Sequence, residues 1–313
     1  MKTLDHKARS QILHLLCEGN SIRSVTQLTG ASKNTVIKLL IDAGKACMAF
    51  HDANVRDVKA KRVQVDEIWS FTYAKQKNVA AAKAAPEGAG DTWTWTAIDA
   101  DSKMILSYFI GERDGECAMW FVDDLRARLA GRIQLTSDGH KAYLEAVEGA
   151  FGSDIDYAIL HKVYGNSPKS MKGKYSPAEC VGTEKRRIEG EPDLKHVSTS
   201  YVERSNLTMR MHMRRFTRLT NGFSKKVENH AYAVALHMMY YNFVKLHSKL
   251  RMSPAMAAGV SIKLWEIGDI VALVEIEETK IDRTRGTYKK KNEEEQGIKK
   301  PGFYAGLLQT NYQ

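Results

Sequence analysis

At 313 residues, 43% of them hydrophobic, the chain can hold one large domain or two to three small ones around a real core. Its formal net charge of +10 at pH 7 favours a polyanionic partner, nucleic acid first. No run approaches the ~18 apolar residues of a membrane span, "MKTLDHKARSQILHLL" has charges inside its apolar run, and none of Cys17, Cys47, Cys117 and Cys180 stands at CxxC spacing. A membrane span, a signal peptide, a disulfide framework and a zinc ribbon are thereby excluded, and the expected compartment is the reducing cytoplasm.

The first elements are helical. "HKARSQILHLLCEGN" puts Ile12, Leu15 and Leu16 on one face and stops at Gly19-Asn20. Ser21 caps a short helix with Val25 and Leu28 inward, Gly30 makes a turn, and Ser32 caps another helix with Val36, Leu39 and Leu40 inward. Helix, glycine turn, helix is the length of a helix-turn-helix. Lys33, Asn34, Thr35 and Lys38 then point outward from the start of the second helix, where such a motif touches base edges. The alternative is a three-helix bundle that binds nothing.

Residues 46–62 read as a link to a region of strands. "RVQVDEIWSFTY", "DTWTWTAIDAD" and "KMILSYFIG" are three strands, the first two joined by the Lys/Ala/Gly-rich 74–91. "DGECAMWFVDDLRARLAG" is a helix with Ala118, Phe121, Val122 and Leu125 inward. A short strand "RIQLTSDG", a helix "HKAYLEAVEGAFG" and a strand "DIDYAIL" follow. The order β-β-β-α-β-α-β predicts an α/β fold: a mixed five-stranded sheet flanked by helices. Residues 161–198 read as loop. After them "STSYVERSNLTMRMHMRRFTR" is helix-friendly and sets Glu203 among Arg204, Arg210, Arg214, Arg215 and Arg218. A long helix over 224–247 carries Val227, Ala231, Val234, Met238 and Tyr241 as a packing stripe. "LWEIGDIVALVEIEE" is a last apolar segment, and 279–300 is a charged, disordered tail.

Three acids stand apart by position. Asp66 lies inside the apolar "VQVDEIWSF", Asp138 directly follows "IQLTS", and Glu203 begins the arginine-rich helix. Each has a plain reading: an outward residue on a half-exposed strand, a turn former in "SDG", and an ion-pair partner on a solvated helix. Together they form a constellation if the first and fourth strands are neighbours and the helix crosses that edge. Like charges raise one another's pKa, and two Mg²⁺ ions roughly 3.5–4 Å apart would resolve the conflict. Such a site activates a water or a 3′-hydroxyl for in-line attack on a phosphodiester.

"VDEIWSF", "TSDGHKAY" and "YVERSNLTMRMHMRRFTRLTNGFSKKVENH", in this order and spacing, resemble the catalytic core of DDE transposases with an RNase H-like fold, most of all the insertion-sequence-one type of bacterial transposase. The resemblance covers about residues 15–260. It implies a helix-turn-helix domain (1–50), a linker (51–62), an RNase H-like catalytic domain (63–260) and a C-terminal helix with tail (261–313). It also implies Mg²⁺-dependent cleavage and strand transfer at terminal inverted repeats, with Asp66, Asp138 and Glu203 as catalytic metal ligands and Mn²⁺ able to substitute. Its partners would be double-stranded DNA and a second copy of the chain when paired on DNA, with no membrane and no small-molecule cofactor, in the cytoplasm at the nucleoid. Members often begin with a Cys-rich zinc-binding segment, which is not found in this sequence, so the helix-turn-helix is expected to bear more of the end recognition; either another segment helps, or part of the N-terminus is missing. The rival functions are a non-catalytic DNA-binding regulator and an RNase H-like metal-dependent nuclease.

Other residues follow from helix geometry. Positions 203, 206, 207 and 210 share a face, so Asn206 and Arg210 flank Glu203. Arg210 suits a DNA phosphate or an intramolecular ion pair. Arg214, Arg215 and Arg218 suit the phosphate backbone. His140 either approaches the scissile phosphate or is a capping or surface histidine. Glu67 points away from Asp66 and is not expected to share the metal. Asp99 is either a support to the site or a strand-end turn former. Trp69, Trp93 and Trp95 are read as core.

Overall fold

The computed structural model describes residues 4–165, 180–217 and 221–284. Three helices come first: α1 (His6–Cys17), α2 (Ile22–Thr29) and α3 (Lys33–Asn54). Ser21 and Ser32 cap α2 and α3 as expected, their hydroxyls accepting the backbone N–H groups of Ser24 and Thr35. Gly30 takes the left-handed conformation that ends α2, at φ 71°.

Two expectations fail in this part of the chain. Leu28 is not inward; it is 61% exposed. α2 has one buried residue, Val25, which fills its contact with α1 and α3, and Leu28 lies beyond that contact. The expected link over 46–62 is helical to Asn54, because Ala46, Cys47 and His51 continue the buried stripe of Leu39, Leu40 and Ala43. That stripe packs on two later helices, α8 (Val227–Met239) and α10 (Ile267–Thr284). At the α3–α8 crossing a Cβ on Gly44 would lie 2.6 Å from the Tyr232 Cα, so only glycine admits this approach. The N-terminal helices thus share one hydrophobic core with the sheet and its helices.

The sheet has six strands rather than five, in the order β3-β2-β1-β4-β5-β6. They are β1 (Arg62–Thr72), β2 (Gly90–Asp99), β3 (Ile105–Gly111), β4 (Gln134–Ser137), β5 (Asp156–Tyr164) and β6 (Cys180–Glu189). β1, β2 and β3 form an antiparallel meander, β1 pairs parallel with β4, β4 parallel with β5, and β5 antiparallel with β6. The expected loop over 161–198 therefore carries the end of β5 and all of β6. β6 is exposed on both sides, so its sequence lacks the apolar alternation that marks a half-buried strand. The connection over 74–91 holds one short helix, α4 (Gln76–Val79).

Helices cover both faces of the sheet. α5 (Gly115–Ala127) packs on α6 (Ala142–Phe151) and on β3, with Ala118, Phe121, Val122 and Leu125 all buried. α7 (Ser200–His212) lies on β1 and β2, followed by a 3-10 turn, Arg214–Phe216. α8 buries Val227, Ala231, Val234 and Met238. The long helix expected to 247 passes at Tyr240 into a π turn, Tyr240–Val244, whose Asn242 bonds both the N–H and the C=O of Ile105. A short helix, α9 (Pro254–Ala257), precedes α10. The tail expected to be disordered over 279–300 is helical through Thr284, as the end of α10, and lies outside the described residues from 285 onward. Among the described residues no helix is long and apolar enough to cross a membrane.

Arg128, only 2% exposed, ties the end of α5 to the end of α3. It forks onto Asp124 with two 2.7 Å bonds, reaches Asp52 at 3.2 Å, and donates to the carbonyls of His51 and Val55 at the end of α3.

Three histidines are sealed in the fold: His51, His230 and His237. Burial first, then the positive charge of Arg128, of Arg215, and of His212 and Lys245 respectively, pushes each down to about 3. In the unfolded chain they titrate near 6.5. Between those values the unfolded state binds more protons, so stability falls as pH drops through the window. Asp66, which burial raises to about 7, acts in the opposite sense. From pH 7 to 5 the three histidines together cost about 6 kcal/mol and Asp66 returns about 2. Glu67, also raised, returns some of the rest. Denaturant titrations without added metal should therefore lose a few kcal/mol over that interval. A flat or rising profile would mean that the buried imidazoles are charged in the native state.

Candidate active site

The parallel pairing of β1 with β4 sets the site. Their register runs Arg62 to Gln134, Val63 to Leu135 and Gln64 to Thr136. Continued by two residues, it brings Asp66 level with Asp138, just past the end of β4. α7 is held over this edge by Gln64, whose side-chain oxygen accepts the N–H groups of Tyr201 and Val202. The next residue, Glu203, reaches the same place. Asp66, Asp138 and Glu203 all line one cavity of about 770 Å³.

Each acid is held differently. Asp66 Oδ2 accepts from Asn206 Nδ2 at 2.8 Å. Asp138 Oδ1 accepts the N–H of His140 at 2.9 Å. Glu203 accepts from the Lys162 ammonium and from the Thr199 hydroxyl. Burial, then Glu67 and Asp138, then Glu203 more weakly, raise Asp66 to about 7. Lys162 is pulled down by burial but carried above its ordinary value by Glu203.

The donor set is hard and all-oxygen, the kind that suits Mg²⁺ or Mn²⁺. The raised Asp66 marks a place where a cation would relieve like charge. Among the described residues, however, no three His, Cys, Asp or Glu side chains stand so as to share one ion. Glu203 is instead engaged by Lys162.

Glu67 does face away from Asp66, yet it is not idle. Its side chain is 1% exposed and accepts from Arg113 Nε at 2.6 Å and from the Tyr143 hydroxyl at 3.1 Å. Arg113 lines the cavity beside Asp138. Sequence reasoning missed this cluster, because its members come from β1, the end of β3 and α6, with no spacing to signal them. His140 caps Asp138 through its N–H while its ring stacks on Trp95. Burial, then Arg113, lowers its pKa. Its Nε2 is buried without a hydrogen-bond partner. Asp99 is a turn former: it accepts the N–H groups of Asp101 and Ser102 between β2 and β3. Trp95 is core, whereas Trp93 and Trp69 are half-buried.

The basic residues fall into separate groups. Lys33 lines a second cavity, of about 450 Å³, together with Arg214 and Arg215. Arg215 donates to Ser224 Oγ at 2.8 Å. Asn34 is exposed, the Thr35 hydroxyl meets Ser32, and Lys38 pairs with Asp42. Arg210 is half-buried in the last turn of α7. Arg218 lies outside the described residues.

No family model matches the chain, and no curated protein matches it. Among solved structures it is similar to the piggyBac transposase synaptic complex with hairpin DNA, at 9% identity and a TM-score of 0.34, over 98% of this chain and 76% of that one. It is also similar to the pre-cleavage Mos1 transpososome, at 12% identity and a TM-score of 0.20, over 50% of this chain and 60% of that one. For the Mos1 mariner paired end complex with Mn the values are 13% and 0.20, over 48% and 58%. Likeness at this level settles neither fold family nor function.

Proposed function

We propose that this chain is a DDE transposase of a bacterial insertion sequence. In this reading it binds terminal inverted repeats, then cuts and joins DNA with an RNase H-like core. The observation that carries the proposal is the level placement of Asp66 and Asp138 by the β1–β4 register, with Glu203 lining the same cavity from α7. The three-strand meander with two parallel additions supports the RNase H-like assignment. When bound by Asp66, Asp138 and Glu203, two Mg²⁺ or Mn²⁺ ions would activate the attacking hydroxyl and neutralise charge on the phosphodiester.

The chain's own residues prepare for that chemistry. Asn206 fixes one oxygen of Asp66, and the His140 N–H fixes one of Asp138. Lys162 and Thr199 hold Glu203. The Lys162 ammonium, on its flexible stem, can turn to an incoming phosphate and release the carboxylate. The fold leaves Lys33 and Asn34 at the start of α3 for groove contacts, with Arg214 beside Lys33 for the backbone. Arg210 and Arg215 would add phosphate affinity. Pairing of two element ends would require a dimer or larger assembly.

The test uses purified protein, Mg²⁺ and a labelled duplex carrying the DNA that borders the gene. Cleavage at the repeat end, followed by joining to a second duplex, is the expected result. Binding without cutting would establish the regulator instead, and cutting without joining the nuclease. Inverted repeats flanked by a short target duplication would favour transposition over both.

A further inference from the structure

We propose that Arg113 forms an anion seat in the carboxylate cavity, one that takes a non-bridging oxygen pair of a nucleic-acid phosphodiester. The inference rests on the reading of that cavity as a site for nucleic-acid chemistry, and names the residue that holds the substrate there.

Arg113 stands two residues past the end of β3 and lines the cavity with all three acids. Its guanidinium is clamped at the base. Nε donates to Glu67 at 2.6 Å, and the group lies over the Trp93 ring, 5.0 Å from its centroid. Glu67 is fixed in turn by the Tyr143 hydroxyl. The tip of the fork is open. Among the described residues neither terminal nitrogen of Arg113 has a protein hydrogen-bond partner, and the side chain is 38% exposed. A planar fork clamped at Nε and open at both Nη atoms suits bidentate capture of an oxyanion.

A merely structural ion pair explains the arrangement poorly. Glu67 is all but sealed, and burying a carboxylate against a half-exposed arginine, even with the Tyr143 hydroxyl beside it, is commonly no more stable than an apolar group of the same volume. Here the buried partner is the glutamate and the half-exposed one is the arginine, the arrangement expected where the acid aims the base. Of the ammonium groups lining the cavity, Lys162 is engaged with Glu203 and Lys141 is an exposed side chain on a flexible stem, without a planar fork. A phosphodiester is the fitting ligand, because its single charge is shared by two oxygens that match the fork.

The test keeps binding apart from catalysis. Full-length wild type, Arg113→Gln and Arg113→Lys are titrated in EDTA with a fluorescent DNA duplex over a series of NaCl concentrations. Glutamine can still donate an N–H to Glu67, so the clamp persists without the fork, and matching melting temperatures confirm the fold. Arg113→Gln should weaken binding by about tenfold and flatten the slope of log K against log salt by about 1. Arg113→Lys should keep the slope, but not the Mg²⁺-dependent cleavage rate, since an ammonium cannot reproduce the fork. An unchanged affinity and slope in Arg113→Gln, or full recovery of rate by lysine, overturns the proposal. If wild type never cleaves but Arg113→Gln still flattens the slope, the catalytic reading falls and the anion seat stands.

Discussion

Asp66→Asn is expected to lower Mg²⁺-dependent DNA cleavage by at least about a thousandfold, with DNA binding in EDTA within about twofold of wild type. The loss follows from what the residue would supply. A carboxylate at the level of Asp138 would help hold the ions, whose charge stabilisation is worth several kcal/mol in the transition state. Asparagine keeps the shape and still offers an oxygen to Asn206, so the contact with α7 survives. It also removes a like charge beside Glu67, Asp138 and Glu203, all of which push Asp66 upward. The melting temperature in EDTA should therefore stay level or rise. An active variant would refute the assignment of Asp66. An inactive variant with a markedly lower melting temperature would point to misfolding instead.

The largest stability effect is expected at Arg128. Arg128→Met should cost about 3–5 kcal/mol, because it leaves the largely covered Asp124 without its counter-charge and frees two buried carbonyl contacts at the end of α3. For a chain of this size that is roughly a 5–8 °C fall in melting temperature. Lys38→Ala offers the contrast. Its pair with Asp42 is an exposed contact one helical turn long and should change stability by no more than about 0.5 kcal/mol. Thermal denaturation of both variants decides the matter. A loss at Arg128 no larger than at Lys38 would show that the network contributes nothing.

Much of this was legible in the residues. Ser21, Gly30 and Ser32 announce their turn because capping and positive φ are local requirements. The first five strands show themselves through apolar alternation or an apolar run. That Asp66, Asp138 and Glu203 meet at one cavity was legible because strand order limits which strand ends can meet. What escaped depends on contacts that no local rule encodes. β6 has no buried face, so nothing in its composition separates it from loop. The continuation of α3 past residue 46 rests on α8 and α10, far along the chain. Glu67 was read from strand alternation, which gave its direction but not its partners. Lys162, in a stretch read as loop, gave no sign that it would face Glu203.

The reach of α3 has a mechanical consequence. Twenty-two residues at about 1.5 Å each make a rod of roughly 33 Å. One end is exposed at Lys33 and Asn34. The other is riveted near β3 and α5 through His51 and Arg128. Whatever the exposed end grips is thus carried at a set distance from the sheet, with no swivel between them. The rod acts as a measuring stick, and moving its grip by a few residues along the helix would shift the point of contact relative to the cavity by a predictable length.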